Sequence, residues 1–237
     1  MTAVKGAAQA VISKARKEVD FSHLYRIPRH IGVIPDGNRR WAIKSGMQKH
    51  EGYQFGLEPS FRLCDLCIKL GVEEITFYGF TQDNTKRPEV QRKAFQGILV
   101  QAAHQLYDKD LALMVIGNTS SSMFPSELLP FTNRTVFGRG LLKTNVLVNY
   151  SWQWDLEQFR SRGTDGDGII SRLGSSEVSR IDLILRWGGR MRLSGFLPVQ
   201  SVYSDMYVID ELWPDYRDEH VLAALEWFQE QDVTLGG

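Results

Sequence analysis

Cysteine is nearly absent from this chain, with two residues, Cys64 and Cys67, in 237. Their C-x-x-C spacing falls inside a helical pattern (Leu63, Leu66, Cys67, Leu70) that Gly71 ends, whereas a redox pair sits at a helix start, where the thiol pKa is lowered. A zinc site needs about four ligands, and no second pair exists, so both are read as core cysteines. Long hydrophobic runs are also missing. Stretches such as Leu111 to Ile116 fall far short of the roughly 18 residues of a membrane-spanning helix. Near the N-terminus, Lys5, Lys14, Arg16 and Lys17 interrupt the apolar residues, so residues 1–20 are expected to form an amphipathic helix on the body, not a secretory signal. Few cysteines and no export signal place the protein in the cytoplasm. Charge of one sign is absent too: 28 basic residues balance 28 acidic ones. That argues against nucleic acid as a partner, while leaving room for a local basic pocket. There is no G-x-S-x-G elbow, no G-x-x-x-x-G-K-[ST] loop and no H-E-x-x-H, and the five histidines are scattered.

What is present is alternation. Apolar, strand-like stretches occur at His30–Ile34, Glu74–Phe80, Leu111–Gly117, Asn145–Tyr150, Ile181–Arg186 and Met206–Ile209. Helical patterns near 39–46, 57–70, 89–108, 125–137, 153–162 and 196–204 lie between them, with a last one near 219–230. This predicts an α/β fold whose central, mostly parallel six-stranded sheet is flanked by helices. No linker or internal repeat interrupts it, so residues 1–237 are read as one domain. Residues 161–176, rich in Gly, Ser and Asp, are expected to be a flexible loop. Asp165-Gly166-Asp167-Gly168 has the start of a calcium loop but not its later ligands.

Ligands of a parallel α/β sheet collect beyond the carboxyl ends of the strands. There the sequence places Asp36, Gly37, Asn38, Arg39 and Arg40; then Asp83, Asn84 and Arg87; then Arg186, Gly188, Gly189, Arg190, Arg192 and Ser194. The Asp36-Gly37-Asn38 turn leads into a helix, whose N-terminal amides and neighbouring arginines suit an anion. A lone carboxylate among such donors makes sense if it holds a divalent cation bridging to phosphate. The arginines around Gly188 and Gly189 suit phosphate oxygens in bidentate fashion. Two cationic rims imply two phosphorylated ligands or one long one.

These segments resemble the cis-prenyltransferase family. The resemblance rests on His30-Ile-Gly-Val-Ile-Pro-Asp36-Gly-Asn38-Arg-Arg40-Trp41-Ala42, on Tyr78-Gly-Phe80 with Asn84 and Arg87-Pro88, and on Asn149-Tyr150. It continues through Asp182-Leu-Ile-Leu-Arg186 with Gly188-Gly189, Arg192 and Ser194, then Phe196, Gln200, Tyr203, Leu212-Trp213-Pro214-Asp215 and Gly236-Gly237. It implies a magnesium-dependent enzyme, a homodimer and no nucleotide cofactor. By the same resemblance Asp36 positions magnesium on an allylic diphosphate, Arg40 and Arg87 lie near that diphosphate, Asn84 is linked to proton removal, and Arg186, Arg192 and Ser194 hold the second diphosphate. Gly37, Asn38, Arg39 and Trp41 fall within the same block. Asp205 stands where the family has a metal-assisting glutamate.

Several positions depart from the family. Arg190-Met191 replaces glutamate-histidine, Trp187 replaces threonine, Gly195 replaces asparagine and Thr85 replaces an aromatic residue. Lys49 and Tyr53 replace arginine and histidine at the substrate site, and the C-terminal tail, Thr234-Leu235-Gly236, lacks its arginine. The stretch between Pro88 and Gly117, which in the family walls the product tunnel, looks shorter than in long-chain members. These departures favour a short-chain enzyme joining two five-carbon units of dimethylallyl diphosphate into an irregular, lavandulyl or cyclolavandulyl type of product. The alternatives are a regular enzyme adding isopentenyl diphosphate head to tail and a non-catalytic member, the latter disfavoured by intact diphosphate sites. Trp187 has two readings: an indole face steering an allylic cation, or a core aromatic beneath the loop.

Overall fold

A computed structural model of the chain describes residues 19–161 and 168–232. Residues 1–18, most of the expected N-terminal helix, lie outside the described residues, as do 162–167 of the expected loop and the tail from 233. Seven strands form one sheet: β1 (His30–Ile34), β2 (Glu74–Thr81), β3 (Leu111–Ile116), β4 (Thr135–Val136), β5 (Leu142–Tyr150), β6 (Leu183–Trp187) and β7 (Asp205–Ile209). Their order is β4-β3-β5-β2-β1-β6-β7, and every pairing is parallel except β3 with β4. The sheet is therefore mostly parallel, as expected, with seven strands where six were expected. The addition, β4, is two residues long and gives no periodic signal.

Parallel strands covered on both faces read as unbroken apolar runs, and β1, β3 and β6 are buried at every position. One face packs against α2 (Leu57–Leu70), α3 (Glu89–Gln105) and α5 (Asp218–Gln229), through residues such as Leu63, Cys67, Ala103, Val221 and Leu225. The other carries Ile34, Met114, Leu147, Tyr150, Ile184 and Phe196, beside α4 (Trp152–Ser161) and long connections. Helix α2 ends where expected because Gly71 takes a left-handed φ of 76°, closing the helix end without a Cβ penalty. Cys64 and Cys67 lie on its inner face, and burial pushes the Cys64 thiol up to about 12, which suits an inert core cysteine.

Two expected helices are corrected. Residues near 125–137 form a 3-10 segment, Ser126–Thr132, with Pro130 inside it, followed by β4. Residues near 196–204 form only turns, since Leu197 has a φ of 33° and Pro198 follows it. The described half of the 161–176 loop carries a 3-10 turn, Ile169–Arg172. It is pinned where the Ser175 hydroxyl donates to Asp155 Oδ2 at 2.6 Å.

Candidate functional site

Strand β1 is flanked by β2 on one side and β6 on the other, so the chain leaves it in opposite directions. Such a switch point opens a crevice beyond the strand ends. Here the crevice is a cleft of about 770 Å³, lined by the segments that follow β1, β2 and β6. The turn after β1 needs glycine: Gly37 has a φ of 119°, and a Cβ there would sit 2.8 Å from Leu212 Cδ2. The helix it starts, α1 (Asn38–Lys44), has seven residues, so its dipole is a small contributor and the arginines dominate the field.

Among the described residues, eight basic side chains line the cleft: Arg39, Arg40, Lys44, Lys49, Arg87, Arg186, Arg190 and Arg192. Of the described lining residues two are acidic, Asp36 and Asp83. A neutral chain has thus concentrated positive charge at one place, and an anion is the ligand that relieves the repulsion. Arg186 is 3% exposed. It donates to the Arg192 carbonyl, to Ser194 Oγ at 3.0 Å and to Asp36 Oδ2 at 3.2 Å. Burial works against its charge, Asp36 supports it, and Arg192 and Arg40 oppose it again. Arg40 donates to the Gly188 carbonyl at 3.0 Å and lies 3.4 Å from Asp36 Oδ1. Asp36 is therefore held between the two rims. On the β2 side, burial works against the charge of Arg87, which donates to Tyr53 Oη at 2.9 Å. Asn84 lines the cleft with its Oδ1 accepting from the Thr81 amide at 3.2 Å, which leaves its amide nitrogen to offer a ligand.

Among the described residues no group of three or more His, Cys, Asp or Glu could hold a metal. Magnesium does not need one: it is commonly bound through one or two carboxylates plus substrate phosphate oxygens and water. The lone Asp36 carboxylate, 37% exposed beside a cationic cleft, fits that donor set.

Asp36, Gly37, Asn38, Arg39, Arg40, Lys49, Tyr53, Asn84, Arg87, Arg186, Arg192 and Ser194 all line this cleft. Three expected residues do not. Trp41 turns away, its Nε1 donating to Asp215 Oδ1 at 2.7 Å and its ring lying 4.6 Å from Phe55. It locks α1 to the Trp213-Pro214-Asp215 turn, whose Trp213 amide donates to the Asp36 carbonyl at 3.0 Å. Trp187 is fully buried, edge-on to Trp213 at 4.6 Å and 5.8 Å from Tyr216. Successive residues of a strand face opposite sides, so with Arg186 on the cleft side, Trp187 must enter the core. Trp187 therefore packs as a core aromatic, apart from the residues that line the cleft. Asp205 begins β7, paired with Leu183 at the entry end of β6, whereas Asp36 follows the exit end of β1. A five-residue strand separates the two ends by roughly 16 Å, so one chain cannot place both carboxylates on one metal. The tail residues 234–237 lie outside the described residues.

Lys44 and Phe95 are lining residues that the motifs do not mark. Below the cleft opens a smaller apolar cavity of about 90 Å³, enclosed by α2, α3 and β2 and lined by Phe61, Cys64, Phe77, Leu99, Leu106 and Trp213, among others. Only the period of the two helices could have signalled it.

A parallel sheet with a cationic cleft at its switch point defines a fold for binding phosphorylated ligands. Residues 34–236 match the family described as "Putative undecaprenyl diphosphate synthase". The chain is 30% identical over 236 residues to a ditrans,polycis-undecaprenyl-diphosphate synthase ((2E,6E)-farnesyl-diphosphate specific) of Aliivibrio fischeri, covering 92% of this chain and 91% of that one. It is 30% identical over 225 residues to an isoprenyl transferase of Neisseria gonorrhoeae, covering 89% and 90%. Among solved structures, lavandulyl diphosphate synthase from Lavandula x intermedia, in complex with dimethylallyl diphosphate, has the same fold. It superposes with a TM-score of 0.77 at 21% identity, covering 89% of this chain and 98% of that one. The chain belongs to the undecaprenyl diphosphate synthase family of prenyltransferases.

Proposed function

We propose that this protein is a short-chain, magnesium-dependent prenyl diphosphate synthase. It condenses two five-carbon units of dimethylallyl diphosphate, with release of diphosphate, into an irregular branched or cyclic product of the lavandulyl or cyclolavandulyl type. One observation carries the size limit: the apolar cavity beneath the cleft measures about 90 Å³. A cavity of about 150 Å³ holds six-carbon benzene, so a space of this size supports a short hydrocarbon.

In the proposed reaction the C–O bond of the allylic diphosphate breaks and its electron pair leaves with the diphosphate. Arg40 and Arg87 take up that charge, fixed in place beforehand, which is where such groups stabilise a transition state most. Asp36 is the carboxylate that would hold magnesium, which would supply further neutralisation of the leaving diphosphate. Arg186, Arg192 and Ser194 hold the diphosphate of the second unit. That unit's double bond donates the pair that forms the new C–C bond, and the resulting cation is discharged by losing a proton. The released diphosphate, oriented by the Asn84 amide, takes that proton, because an amide is no base itself.

The irregular outcome is favoured by the changed loop at Arg190, Met191 and Gly195, which alters how the second unit can lie. A regular reading, with isopentenyl diphosphate added head to tail, is favoured by the farnesyl-specific relatives. The two separate when the protein and magnesium are incubated with dimethylallyl diphosphate alone. A ten-carbon product supports the irregular reading; turnover only after isopentenyl diphosphate is added supports the regular one. We also propose a cytoplasmic homodimer, for which sedimentation at micromolar concentration reads the assembly. Among the described residues no helix is long and apolar enough to cross a membrane.

A further inference from the structure

The charged cleft and the apolar cavity share five lining residues: Pro35, Asn38, Tyr53, Gly79 and Phe95. A ligand with its diphosphate in one space and its hydrocarbon in the other must pass this neck. Pro35 and Gly79 shape it mainly through backbone, and Asn38 is tied to the Pro35 carbonyl at 3.3 Å. The two bulky side chains are Tyr53 and Phe95, and they lie ring on ring, with centroids 4.6 Å apart and planes 5° from parallel. Phe95 is also fixed from behind, edge-on to Phe80 at 5.6 Å. Tyr53 is 4% exposed, and its hydroxyl accepts from Arg87 on the cleft side at 2.9 Å. The Arg87 guanidinium itself lies 5.9 Å from the Phe95 ring.

We propose that Tyr53, held by Arg87 and stacked on Phe95, is the specificity-determining residue that sets the width of this neck and so limits the allylic substrate to one isoprene unit. The inference rests on the proposed prenyl diphosphate chemistry, but its logic is local. The stack occupies the route by which a second unit would reach the core side of the sheet, between α2 and α3. Removing one ring of the stack joins the two spaces. Removing only the hydroxyl leaves the stack and frees Arg87. Size selection is thereby assigned to the ring, and diphosphate affinity to the hydroxyl's partner.

The test is a binding titration with magnesium present, using inorganic diphosphate, dimethylallyl diphosphate and geranyl diphosphate on the wild type, Tyr53→Phe and Tyr53→Ala. The wild type and Tyr53→Phe should bind geranyl diphosphate no tighter than dimethylallyl diphosphate. In Tyr53→Ala geranyl diphosphate should gain about tenfold or more over dimethylallyl diphosphate, the scale set by burying the added carbons. Should Tyr53→Ala fail to fold, Phe95→Ala opens the same neck and must give the same gain. An unchanged ratio in a folded ring-deleted variant overturns the neck while leaving the functional reading intact. A wild type that does not bind inorganic diphosphate overturns both.

Discussion

Replacing Arg186 by lysine keeps the positive charge and removes the fork. Arg186 serves three oxygens at once, those of the Arg192 carbonyl, Ser194 and Asp36, and a lysine ammonium on a flexible stem cannot span all three. A hydrogen bond to a charged group contributes ~1.5–3 kcal/mol. The Asp36 pair counts for less than that, because the carboxylate is 37% exposed and solvent screens it. The contacts that arrange Ser194 and the Arg192 backbone therefore dominate. Losing two of them amounts to about 3 kcal/mol, or roughly a hundredfold in kcat/KM. Diphosphate release with dimethylallyl diphosphate and a second five-carbon substrate measures the rate, and a thermal melt in parallel reports folding. A folded Arg186→Lys enzyme with wild-type kcat/KM would refute the assignment of this fork to substrate binding.

Four further outcomes are expected. Trp187→Leu removes a fully buried indole and should cost ~2–3 kcal/mol, lowering Tm by about 4–12 °C for a domain of this size, with the product ratio unchanged; a shifted ratio at unchanged Tm would restore a role in catalysis. Asp36→Asn should abolish turnover without lowering Tm, whereas Asp205→Ala should leave the magnesium titration of activity unchanged, and a shifted titration would mean that Asp205 reaches the metal from a second copy. Burial holds the His30 imidazole below its usual value of 6.5, against the pull of Glu74. The unfolded chain therefore binds a proton that the fold refuses: stability is complete above pH 6.5 and falls as pH drops below it. His30→Gln should flatten that slope in melts taken from pH 7 to 5, and an unchanged slope would contradict it.

The strands were legible because β1, β3 and β6 are buried on both faces and carry no polar alternation to confuse. Helix α2 was legible to the residue because Gly71 ends it. The short strand β4 and the turns after Gly195 were not, since two residues have no period and a left-handed Leu197 leaves no mark in composition. The cleft emerged from the rule that ligands gather at strand ends. The same strand geometry turns Trp187 away from the cleft, because two adjacent residues of β6 cannot both face it. The distance of Asp205 from Asp36 within one chain follows in the same way, since Asp205 lies at the entry end of its strand. The Tyr53–Phe95 stack had no local signal: the two residues come from different elements, and only the packing of α3 beside the Glu51–Gly56 turn brings them together.

The short hydrocarbon space decides what this enzyme can make. The most direct measurement is a mass spectrum of the products formed from farnesyl diphosphate and isopentenyl diphosphate with magnesium, beside the products from dimethylallyl diphosphate. A cavity of about 90 Å³ predicts ten-carbon products from the five-carbon substrates and no elongation of farnesyl diphosphate. A ladder of long polyprenyl products from farnesyl diphosphate, such as the names of the relatives imply for those enzymes, would contradict it.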